Sequence, residues 1–78
     1  MEKCLDQFED SKVNSQVKGG VSKLIQGINY VFFNNGRFAI IKSTSSKVSI
    51  KGSWKCEGGK VMIKVTNPYK GPWVILIP

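Results

Sequence analysis

The sequence predicts an all-β domain: a small antiparallel meander of five to six strands forming a barrel or half-barrel, with a short N-terminal helical or extended segment. Three observations carry this. The stretch KVSIKGSWKC (47–56) alternates without a miss, as a half-buried strand does. An Asn-Asn-Gly turn sits between two β-rich runs. A Gly58-Gly59 pair separates 47–56 from a second alternating run, KVMIKVT (60–66).

Taken in order, residues 2–10 have room for a helical turn or two, and Leu5 and Phe8, three apart, share a helical face. Residues 11–20 lack a period and end in Gly19-Gly20, so they form a linker with room for a short edge strand. The chain therefore divides into an acidic segment and linker, 1–20, and a basic β-meander domain, 21–78. From Val21 the period becomes two. INYVFF (28–33) and RFAIIKS (37–43) read as a hairpin with a type I′ turn at its Asn-Gly. That turn pairs Asn34 with Arg37, Phe33 with Phe38 and Val31 with Ile40. Both faces of the hairpin are apolar, so both need cover from the N-terminal segment or from another chain. In 47–56, Val48, Ile50, Gly52, Trp54 and Cys56 point inward. In 60–66, Val61, Ile63 and Val65 do. PWVILI (72–77) is apolar on both faces and is expected as a central or barrel-closing strand.

A core of 78 residues supplies only about 3–5 kcal/mol, so a staple or a partner is valuable. Cys4 and Cys56 offer the staple, tying the N-terminal segment to the sheet; the alternative is two buried thiols in a reducing compartment. No run of 18 apolar residues is present, so no membrane span is expected, and the acidic start MEKCLDQFED does not read as a signal peptide.

Charge is unevenly placed within a net +7. Residues 1–10 hold four acids (Glu2, Asp6, Glu9, Asp10) against Lys3, giving −3; residues 11–78 hold eleven bases against Glu57, giving +10. A field of that sign attracts polyanions, and nucleic acid and anionic glycan are the candidate partners. Strand parity puts Lys47, Lys51, Lys55, Lys60 and Lys64 on one face, a comb of cations opposite the apolar side. Tyr69, in a turn between Pro68 and Lys70, is the best exposed aromatic to join them, whereas Trp54 belongs to the interior. The bland reading of the comb is a solvated face that deters edge-to-edge pairing. Sequence-specific major-groove readout favours Arg, and the chain has one, Arg37.

Histidine is absent, the acids cluster near the N-terminus, and the glycine pairs lack a phosphate-loop context. No catalysis, cofactor or metal site is expected. Across residues 30–66, the residues Phe33, Asn35, Gly36, Phe38, Gly52, Trp54, Gly59 and Lys60 form a pattern that resembles the β-meander of lipocalin-like bacterial and phage modules. That resemblance implies a non-catalytic, extracytoplasmic module. It carries over no binding residue, and the chain is shorter than a full lipocalin barrel.

Two functions follow as expectations. The first is a structural or adhesive module of a cell surface, filament or phage particle. Such a module self-associates when Glu2, Asp6, Glu9 and Asp10 dock with Leu5 and Phe8 on the lysine face of a second copy. The same docking within one chain gives a closed monomer instead. The second is an intracellular small barrel that holds nucleic acid by its backbone.

Overall fold

The computed structural model describes residues 3–10, 18–41 and 48–78. Lys47 and Glu2, and most of the expected linker, lie outside them. The fold is all-β: a seven-stranded antiparallel sheet in strict sequence order, curled into a half-barrel. A 3-10 helix, Lys3–Gln7, leads into β1 (Glu9–Asp10). There follow β2 (Gly20–Ile25), β3 (Ile28–Phe33), β4 (Arg37–Ile41), β5 (Val48–Glu57), β6 (Lys60–Asn67) and β7 (Val74–Ile75).

Turn chemistry sets the register. β2 and β3 are joined by Gln26-Gly27, with φ of 50° and 80° and Ile25 paired to Ile28. Two central residues at positive φ make a type I′ turn, whose twist matches that of the flanking strands. At Asn34-Asn35-Gly36, Gly36 takes positive φ (85°) while neither asparagine does. The Gly36 N–H donates to the Phe33 carbonyl at 3.2 Å, and the Arg37 N–H to Asn35 Oδ1 at 3.1 Å. This is a three-residue loop, a tight turn followed by a left-handed glycine, and not the expected two-residue one. One extra loop residue slides the ladder by one. Phe32 faces Phe38, Val31 faces Ala39 and Tyr30 faces Ile40, correcting the Phe33–Phe38 and Val31–Ile40 pairs. Because side chains alternate, the slip puts Tyr30 and Phe32, not Val31 and Phe33, on the same face as Phe38 and Ile40. Gly36→Ala is expected to cost about 1 kcal/mol, since an L-residue must be forced into that conformation. An unchanged urea midpoint would contradict the loop geometry.

The inner face gathers one core: Ile25, Tyr30, Phe32, Phe38, Trp54, Val61 and Ile63, joined by Leu5 and Phe8 from the N-terminal segment. Tyr30 and Phe32 stack with ring centres 6.0 Å apart, and Phe32 meets Trp54 edge-on at 5.3 Å. Trp54 is buried, as its strand position implies, and its indole N–H donates to the Phe33 carbonyl at 2.8 Å. The other face of the β3–β4 hairpin is closed to solvent too, with Val31, Ala39 and Ile41 buried. Both apolar faces are therefore covered.

The C-terminal run departs from expectation. β7 is two residues long and pairs only with β6, so it neither sits centrally nor closes a barrel. Val74, Ile75 and Ile77 are 47%, 48% and 65% exposed, and Leu76 alone of that run packs against the core. Pro72 and Pro78 flank the run and supply no N–H to a ladder, which keeps it short and at the edge. Two long-range side-chain hydrogen bonds tie distant parts of the chain together. Gln7 Nε2 reaches the Gly59 carbonyl at 3.3 Å, and Gln26 Nε2 reaches the Ile77 carbonyl at 3.2 Å.

Candidate functional site

The N-terminal segment is a plug. Leu5 and Phe8 are 1% and 6% exposed, inside the core of their own chain. Cys4 lies at disulfide distance from Cys56 of β5, with Cα atoms 6.4 Å apart. Asp10 pairs with Lys23 on the neighbouring strand, not with the lysine comb. Within the single chain the segment closes on its own sheet, with Leu5 and Phe8 in its core. Asp6 and Glu9 stay exposed at its surface. The plug fills the concave side of the half-barrel.

Four of the five comb lysines, those within the described residues, lie as parity predicts; Lys47 is outside them. In the β5–β6 ladder Ser53 faces Lys64, Lys55 faces Met62 and Glu57 faces Lys60, across a turn whose two glycines have φ of 61° and 78°. Lys51, Lys55, Lys60 and Lys64 therefore share the outer face. The register of β4 on β5 adds a cation the sequence reading left out of the comb. Arg37 faces Ser53, so Arg37, Ser53 and Lys64 form one row across three strands. At about 4.8 Å per strand, the two cations' backbones stand about 10 Å apart with a small hydroxyl between them. Nothing within β3–β4 marks Arg37 as part of this face; only its partner strand does.

The members of the comb are not equivalent. Lys55 lies 3.1 Å from Glu57 Oε2 and 4.5 Å over the Trp73 ring, so part of its charge is engaged within the chain. Lys51, Lys60 and Arg37 are exposed, and Lys64 is half-buried. Tyr69 is exposed, as expected, but lies beyond the end of β6 with its ring 3.5 Å from where a Gly71 side chain would stand.

Next to the comb is a groove of about 760 Å³. Arg37 and Lys51 line it together with Phe33, Ser53, Thr66 and Asn67. Its shape comes from an irregularity in the ladder. Lys51 faces Asn67 while the next residue, Gly52, faces Val65, leaving Thr66 as the extra residue of a β-bulge. The Thr66 hydroxyl donates to the Lys51 carbonyl at 3.5 Å. Inside the sheet, burial pushes the Tyr30 phenol above its ordinary range. No group of three or more His, Cys, Asp or Glu side chains suited to a metal ion occurs among the described residues. No helix there is long and apolar enough to cross a membrane.

No protein-family model matches the chain, and neither a curated protein nor a solved structure matches it.

Proposed function

We propose that this protein is a non-catalytic binding module that presents the outer face of β4–β6 to polyanions in an extracytoplasmic setting. The observation that carries the reading is the row Arg37–Ser53–Lys64, set beside Lys51, Lys55 and Lys60 on one sheet face. No two of these cations face each other directly in the ladder, so the face gathers positive charge at little cost to the sheet and attracts polyanions by its summed field. The Cys4–Cys56 pair, at disulfide distance, supports an oxidising compartment. Self-association by the acidic segment has less support, because Leu5 and Phe8 are already used within the chain.

The test is retention on immobilised heparin. Changing Lys51, Lys55, Lys60 and Lys64 together to Gln should abolish retention at physiological salt while leaving the circular dichroism spectrum unchanged. Against a nucleic-acid ligand, each lost phosphate contact should flatten the salt dependence by about one unit of slope. A quadruple variant that elutes with the wild type would reduce the comb to a solvated face.

A further inference from the structure

We propose that the groove beside the comb is a subsite for an acidic, sulfated sugar unit, so that the polyanion bound is an anionic glycan. This rests on the polyanion reading and narrows it. The groove, about 760 Å³ and open to solvent on one side, has room for a sugar unit. Arg37 and Lys51 supply charge at its wall, and the fork of Arg37 suits the paired oxygens of a sulfate or carboxylate. Between them Ser53, Thr66 and Asn67 line the groove with hydroxyl and amide groups, the donors and acceptors that sugar hydroxyls require. Phe33, half-buried at the edge, offers one apolar surface to a sugar ring. The bulge at Thr66 opens the ladder at this point, a common way for a sheet to shape a site.

The same face is poorly built for single-stranded nucleic acid. Such sites rely on successive aromatic platforms for base stacking. Here Tyr30, Phe32, Phe38 and Trp54 are spent in the core, while Tyr69 and the Trp73 ring under Lys55 are exposed but lie outside the groove. Phe33 is left as the one ring with free surface in the groove among the described residues.

Isothermal titration calorimetry of the intact chain decides the matter, using a heparin-derived tetrasaccharide and a dT oligonucleotide of equal charge at one ionic strength. The tetrasaccharide should bind at least about tenfold more tightly, as expected for one or more additional charge-assisted hydrogen bonds. Arg37→Gln and Ser53→Asp should each weaken it about tenfold. Lys60→Gln, outside the groove, should weaken it about twofold or less, as a peripheral charge does. If Lys60→Gln matters as much as Arg37→Gln, the groove is not a subsite, although the comb still binds. An oligonucleotide that binds as tightly as the glycan overturns the ligand class and leaves the polyanion reading standing. Binding of neither ligand overturns both. Amide spectra of each variant, matching wild type, confirm that affinity and not folding is read.

Discussion

Replacing Cys4 and Cys56 with alanine is expected to lower the stability of the fold by about 4 kcal/mol, from the entropy of a closed loop of this length. The two residues are separated by 52 positions, and the link holds the plug that carries Leu5 and Phe8 into the core. For a core of this size that loss is comparable with the whole net stability, so the double variant should be largely unfolded near body temperature. Reductant should have the same effect on the wild type. Mass measurement should find the native chain two hydrogens lighter before reduction than after. Equal urea midpoints with and without reductant, or two thiols that alkylate freely in folded protein, would remove the staple from the account.

Gly52→Ala should be the most damaging single methyl group in the sheet. A Cβ at Gly52 would stand 2.1 Å from the Lys64 carbonyl oxygen and 2.4 Å from a ring carbon of Phe38. One of those neighbours is backbone in the β5–β6 ladder, so relief requires separating the strands. We expect a loss of about 3 kcal/mol or more, at the upper end for overpacking. Gly59→Ala is the control. There the added carbon meets nothing within 4 Å, and only a positive φ of 78° resists it. That should cost about 1 kcal/mol. Equal urea midpoints for the two variants would contradict the close approach at Gly52. Because Gly52 lies at the bulge, its replacement should also disturb the groove, whereas Gly59→Ala should leave glycan binding intact.

How far these features could be read in advance depended on their range along the chain. β5 and β6 were legible because alternation and a two-glycine turn are local, and parity then places the lysines whatever the loop length. The β3–β4 turn was legible as a turn but not as a register. Asn34-Asn35-Gly36 suits a two-residue or a three-residue loop, and only the second confines positive φ to glycine. The type I′ turn lies instead at Gln26-Gly27, where glutamine gives no such signal. Arg37 stayed out of the comb because its neighbour Ser53 lies on a different strand, and the groove depends on a bulge that no pattern in 60–66 announces. The apolar run 72–77 is hydrophobic without being buried, because its prolines hold it at an edge.

The plug has a consequence for the order in which the molecule is made. Leu5 and Phe8 are made before the strands they help to cover, yet they share a core with Trp54, Val61 and Ile63, and Gln7 reaches Gly59. Until β6 has been synthesised, those two side chains have no complete site, and the inner face of β2–β4 stays uncovered. The hairpins form from neighbours in sequence, but the plug joins residues 52 positions apart. The nascent domain therefore keeps apolar surface uncovered until β6 has emerged, and becomes self-contained only then.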